Sequence, residues 1–436
     1  MIGLLLLYRV VAEVLYIRYI HGLRIWSHVY VANQNWEDYL IAWLMCILIL
    51  LIFKPVLQKP LQEYKFSEYV ILLLLLFSVF PGMAMCGVGV FSEDYTKCFY
   101  LYWILFFVLA RAASTINLQG GALMGRFTTE AKIKLLACIF FIFMASVIIV
   151  FCNYGGGFFF SFLQSQELYS IRLKFREISM PIFLGYIKAN AAVVFLFFLM
   201  FFLKKKRYFG AGIVLLLQWM QFSCGAQKIH AVSTLICLLV YGMRHFLTVK
   251  KIIGISIGGL VVSMGIWDIW NQVSLLDYIR RVIIETNLLC YYYYEYFQVE
   301  VPMLFRLFEV SAVDRANIPF AIGSTYFGDY TNHANSGLFG DAYMMFGGCG
   351  LIFGPVFCNL YLYFMDKASR HIDWWIKLGL SVFWSVTIID SSLMTNMLSH
   401  GGILLIILSC LYVGDGAEAY LKRCSTKKAA EVCAGK

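Results

Sequence analysis

The chain repeats one pattern along most of its length: about twenty almost wholly apolar residues, then a short polar or charged interval. A helix of roughly twenty residues is long enough to cross the ~30 Å hydrocarbon layer of a bilayer. Such segments lie at 2–20, 38–56, 67–85, 97–113, 133–152, 181–203, 208–226, 229–247, 252–270, 338–365, 374–393 and 400–416. Hydrophobic residues make up 61% of the chain and charged ones 14%, against about 45–50% and about 25% in an ordinary soluble domain. No water-soluble core can enclose that much apolar surface. Lipid offers the backbone no hydrogen-bond partners, so long unbroken apolar runs predict helices and not barrel strands. The expected fold is all-α: a polytopic helical membrane protein of about twelve spans, forming one integral membrane domain over 1–436.

Lysine placement predicts the orientation. Lys54, Lys59 and Lys65 follow the second segment, Lys132 and Lys134 precede the fifth, and Lys204–Lys206 follow the sixth. Lys250 and Lys251 follow the eighth, Lys367 and Lys377 lie between the tenth and eleventh, and Lys422, Lys427 and Lys428 come last. All these intervals share one parity, so the positive-inside rule makes them, and both termini, cytoplasmic. Met1 to Ile17 has no small-residue cleavage site and carries Arg9 and Glu13 four apart. An uncleaved first span with mutually neutralising charges is expected there. The net charge of +10 follows from this topology, and no nucleic-acid-binding motif accompanies it. The thirteen cysteines are scattered without a CxxC and read as small buried hydrophobes.

Two intervals of the opposite parity, 153–180 and 271–336, are too long to be simple turns. The first opens on Tyr154-Gly155-Gly156-Gly157 and carries Arg172, Lys174 and Arg176. Cations there run against the charge bias that sets topology, and anion binding is the simplest reason for them; snorkelling at a span end is the competing one. The second interval contains no lysine, yet holds Arg280, Arg281, Arg306 and Arg315. Guanidinium forks bind phosphate bidentately, as an ammonium does not. Within it, Leu275, Leu276, Ile279, Val282, Ile283 and Leu289 fall at helical spacing, predicting an amphipathic helix over 275–298 that rests on the spans or in the interface. Tyr291–Tyr294 and Tyr296 beside it fit an interfacial aromatic belt.

The densest chemistry lies in Asp329-Tyr330-Thr331-Asn332-His333-Ala334-Asn335, then Asp341 and the glycines Gly347, Gly348 and Gly350. His333 titrates near neutrality and is suited to deprotonate a hydroxyl, with Asp329 and Asp341 as competing bases. A hydrogen-bonded loop histidine is the bland alternative. Glycines inside a span permit close approach of helices or of a lipid chain.

The pattern His333-x-Asn335, Leu338, Asp341, Tyr343 and Gly347-x-x-Gly350 before an apolar run resembles the loop-to-span junction of bacterial O-antigen polymerases, the Wzy-type repeat-unit polymerases. The residue-level likeness covers roughly 323–356 and the basic segment 172–185. That family pairs an arginine with a downstream glycine in its first loop, a place taken here by Arg172 or Arg176 with Gly185. Many members have an arginine where Ser223–Lys228 stands, so Lys228 would supply charge without a fork. The resemblance implies a GT-C-like membrane glycosyltransferase in the bacterial inner membrane, with its active site facing the periplasm. It would join undecaprenyl-diphosphate-linked oligosaccharide repeats into a surface polysaccharide. Arg172, Arg176, Lys228, Arg280, Arg281, Arg306 and Arg315 would hold the diphosphate, His333, Asp329 or Asp341 would act as base, and Asn335 and Tyr330 would touch the acceptor sugar. A chain-length regulator, a flippase and the lipid bilayer are the implied partners, with no nucleic acid. Diphosphate is already a good leaving group, so single-displacement transfer with no metal and no other cofactor is expected.

Other classes compete. A lipid-linked oligosaccharide flippase has a similar span count and a site near the midplane; Lys188 and Asp268, inside apolar segments, point that way. A ligase differs only in its acceptor, and an acyltransferase needs a reactive histidine reachable from the inner leaflet. His400, beside Gly401 and Gly402, is a secondary candidate.

Overall fold

The computed structural model describes residues 1–23, 31–33, 35, 36–116, 127–155, 157–159, 170–172, 174–175, 177–270, 273–300, 302–303, 312–329 and 331–414. Helix is the only regular structure among them. Among the described residues, eight helices are long and apolar enough to cross a membrane: Trp36–Leu57, Phe66–Gly87, Glu93–Thr115, Thr129–Tyr154, Ile182–Lys204, Val249–Trp270, Gly337–Ser369 and Leu393–Leu411. Shorter helices occupy the other four apolar segments: Ile2–Val14, Tyr208–Gly225, Lys228–Met243 and Trp374–Asp390.

Helix starts follow ordinary capping chemistry. Asn35 accepts from the Glu37 amide at 3.2 Å, ahead of Glu37 and Asp38 in the first turn. Thr128 accepts from the Ala131 amide at 3.2 Å. Both satisfy amides the helix itself leaves open. Glu68, buried at the start of Phe66–Gly87, accepts from the Lys65 amide at 2.9 Å and pairs with Lys59 at 2.5 Å.

By packing, the chain divides into two units. The first comprises Met1–Asn117, His245–Tyr363 and Trp384–Asn396; the second comprises Leu118–Arg244, Phe364–Phe383 and Met397–Lys436. Phe66–Gly87 is the central helix of the first, buried over 94% of its apolar window. It widens into a π-turn at Leu75–Val79 just before Pro81. Proline removes an amide donor and crowds the carbonyl four residues back, and a wider turn absorbs both effects. The Tyr8 hydroxyl donates to the Leu76 carbonyl at 2.5 Å, and Ser78 meets Asn287 at 3.4 Å. Arg9, fully buried, donates to Glu13 at 2.7 Å and lies 3.8 Å over the Trp43 ring. The neutralising pair read from the sequence is therefore formed.

The glycines after Asp341 break a long helix. Gly347 adopts a left-handed φ of 57° between Gly337–Phe346 and Gly350–Ser369. A Cβ on Gly350 would sit 2.0 Å from the Ala342 carbonyl oxygen, so only glycine lets the chain fold back onto the preceding turn.

The tyrosine run departs from expectation. Val273–Ile279, a π-turn at Arg280–Glu285 and Thr286–Val299 do form a helical stretch, but Tyr292, Tyr293 and Tyr294 are buried within the unit. Tyr292 stacks on Tyr326 at 4.1 Å, Tyr294 lies 4.6 Å from Tyr343, and the Tyr293 hydroxyl donates to the Ala334 carbonyl at 2.8 Å. These tyrosines are core and not an interfacial belt, because neighbouring helices supply the aromatic faces of Tyr326 and Tyr343 and the non-helical segment before Gly337 supplies a carbonyl acceptor. Cys46, Cys86, Cys224, Cys237, Cys290 and Cys358 are buried free thiols, as expected, but Cys138, Cys152 and Cys349 are exposed and Cys98 and Cys410 half-buried, so the reading of the cysteines as buried hydrophobes holds only in part.

Candidate functional site

In the first unit, residues 331–336 cross the helix Ala312–Phe327 and enter Gly337–Phe346. The crossing needs a bare helix surface: a Cβ on Gly323 would stand 2.0 Å from the Asn332 carbonyl oxygen. Ala334 fixes the segment on both sides, donating its amide to the Pro319 carbonyl at 3.0 Å and accepting from Tyr293. Gly337, at φ 63°, makes the turn into the helix.

On this anchored segment His333 is exposed, its Nδ1 2.9 Å from Asn335 Oδ1 and its ring edge-on to Phe320 at 5.0 Å. With the asparagine oxygen accepting, Nδ1 carries the proton and Nε2 is the basic nitrogen; this tautomer is assigned from the network. Asn335 therefore orients the imidazole. Asp329 is exposed and accepts from the Thr331 hydroxyl at 2.7 Å and the Thr331 amide at 2.8 Å. Those bonds hold its carboxyl below the ordinary carboxylate range, which makes it a turn residue and a weak base. Asp341 is buried, and its Oδ2 accepts from the Leu393 amide at 3.2 Å, capping the helix Leu393–Leu398. Of the three candidate bases, His333 alone combines exposure with a fixed ring.

Arg280 is buried and held by acids, with Nη2 2.8 Å from Asp277 and Nη1 2.6 Å from Glu285. Arg281 is exposed and lies 3.2 Å from the other Asp277 oxygen. Arg176, Arg306 and Tyr330, and the side chain of Arg315, fall outside the described residues. Asp268 accepts from Tyr19 at 2.6 Å.

The second unit gathers basic side chains at one end of its helices. Ile182–Lys204 and Tyr208–Gly225 run antiparallel, locked by Gln221 donating to the Lys188 carbonyl and Gln218 to the Ala192 carbonyl, both at 2.9 Å. Ala226 turns the chain at a left-handed φ of 48° into Lys228–Met243. Arg172 donates to the Ala226 carbonyl at 3.0 Å, and the Phe159 amide to Ser223 at 3.1 Å. Thus the basic interval read from the sequence is tied to the turn that carries Lys228. Lys188 is buried, with its ammonium 4.5 Å over the Phe175 ring. His230 is buried as well, and among the described residues neither ring nitrogen has a hydrogen-bond partner. The charges of Lys188, His400 and Arg172 all act on that ring.

His230 did not stand out in the sequence, because a histidine near the start of an apolar helix is usually just packed. Its spacing from Lys228 was the available signal. Lys188 was visible as an intramembrane cation, which is uncommon without a functional reason. Among the described residues no three His, Cys, Asp or Glu side chains converge as a metal site would require. Comparison with protein families, curated proteins and solved structures finds no match to this chain.

Proposed function

We propose that the protein is a Wzy-type polymerase that joins undecaprenyl-diphosphate-linked oligosaccharide repeats at the periplasmic face of a bacterial inner membrane. The reading includes about twelve spans, both termini in the cytoplasm, and a chain-length regulator and a flippase as partners. The observation that supports it best is the held imidazole: His333, exposed and oriented by Asn335 on a segment pinned through Ala334.

In this reading His333 Nε2 accepts the proton of an acceptor sugar hydroxyl as its oxygen bonds to the anomeric carbon of the growing chain. The bond from that carbon to the lipid diphosphate breaks on the opposite side, and the diphosphate departs with the electron pair. Basic side chains neutralise the developing charge. The displacement inverts the anomeric centre.

His333→Ala should reduce polymerisation by about 10²- to 10⁴-fold, the usual contribution of a positioned base, and Asn335→Ala by less because the imidazole remains. Chain length on gels of surface polysaccharide reads both effects; unchanged chains in His333→Ala would remove the base assignment.

Deletion of the gene should leave surface polysaccharide with a single repeat. The buried Lys188 supports a second reading, translocation of a lipid-linked oligosaccharide, under which deletion would abolish single-repeat and extended forms together.

A further inference from the structure

The second unit contains a concentration of basic side chains that the sequence assigned only in part. Lys188 and His230 are buried at 8% and 4% exposure, and among the described residues neither has a carboxylate partner. Arg172 and His400 lie within electrostatic reach of the same imidazole. Like charges brought together away from water repel one another, and burying an unpaired cation is costly. Such an arrangement is retained where an anion completes it.

The backbone is shaped to admit these groups. A Cβ on Gly225 would lie 2.8 Å from the Lys188 ammonium nitrogen, so the bare glycine leaves the ammonium its place beside the helix end. Arg172 is positioned by its bond to the Ala226 carbonyl one residue further on. His230 presents two ring nitrogens with no hydrogen-bond partner among the described residues, one of which carries the N–H that an anion accepts from. Together they supply an ammonium, an imidazole and a guanidinium from three different segments, which suits the several oxygens of a phosphate group better than the two of a carboxylate.

We infer that Lys188, His230 and Arg172 form a binding site for a phosphate-class anion, the diphosphate of the lipid-linked donor. The identity of the donor rests on the polymerase reading; the anion site does not. A resident anionic phospholipid headgroup has the same chemistry and is the alternative occupant.

The test is titration of inorganic pyrophosphate into the full chain in phosphatidylcholine nanodiscs, with and without phosphatidylglycerol. The expected result is saturable binding that weakens roughly tenfold to 100-fold in Lys188→Met and in His230→Phe, the loss of one charge-assisted bond. Lys188→Arg should retain it. Gly225→Ala, which keeps every cation but displaces the ammonium, should weaken it in a protein of unchanged helix content. Absence of pyrophosphate binding, or binding indifferent to all these variants, overturns the site. Competition by phosphatidylglycerol overturns the donor-diphosphate assignment and makes a resident headgroup the occupant. Variant-sensitive binding in a protein that makes no polymer leaves the site standing and removes the polymerase reading instead.

Discussion

Arg280→Ala should destabilise the protein by about 2–4 kcal/mol and lower its abundance in the membrane. Breaking a fully buried ion pair costs about 3–5 kcal/mol; the figure is reduced here because Asp277 and Glu285 keep 28% and 23% of their side chains exposed. The damage comes from Glu285 losing its arginine and Asp277 being left with the exposed Arg281 alone. Asp277→Asn combined with Glu285→Gln should therefore restore much of the lost stability in the Arg280→Ala background. Arg281→Ala makes the contrast: its side chain is 63% exposed, and a surface pair is worth about 0–1 kcal/mol. Thermal unfolding in detergent, followed by tryptophan fluorescence, separates the two. Equal stability of Arg280→Ala and the parent would show that the ion pairs contribute little, and would return Arg280 to the list of substrate-binding candidates.

Gly401→Ala should be comparably harmful for a different reason. Gly401 starts the helix Gly402–Leu411 at a φ of 78°, a conformation costing an L-residue roughly 1–2 kcal/mol. Its Cβ would also stand 2.1 Å from Val193 Cγ1 and 3.5 Å from the Asn190 carbonyl oxygen. Overpacking of this kind adds typically about 1–3 kcal/mol, and valine has few alternative rotamers to relieve it. Val193→Ala in the same chain should recover the steric part and leave the backbone part. His400 precedes this glycine, so the substitution also displaces a basic group that acts on His230. Stability in Gly401→Ala equal to the parent would mean the helix end rearranges freely.

The sequence disclosed what depends on local pattern. Apolar length located the helices, because a lipid-facing backbone has no other way to satisfy itself. Arg9 and Glu13 announced their pair through i,i+4 spacing. Asn335 stood in the sequence as an acceptor-sugar contact, and its bond to His333 emerges only because an extended segment places side chains two residues apart within reach. What stayed hidden depends on winding and tertiary contact. Asp277, three residues before Arg280, was a visible helical neighbour, but Glu285 is five away and meets it only because the helix widens into a π-turn. A free phosphate-binding arginine and an acid-clamped one look alike in sequence. The tyrosine run looked interfacial for a similar reason, as nothing local says that Tyr326, Tyr343 and the Ala334 carbonyl cover it. His230 became notable only through the company of Lys188, Arg172 and His400, which come from segments far apart in the chain.

The most direct measurement uses purified protein in proteoliposomes supplied with a single polyprenyl-diphosphate-linked repeat unit, the products being resolved by size. The account predicts a ladder of lengthening oligosaccharides with one polyprenyl diphosphate released per bond formed, collapsing in His333→Ala. Substrate recovered at its original length, whether left in place or carried across the bilayer, would contradict it.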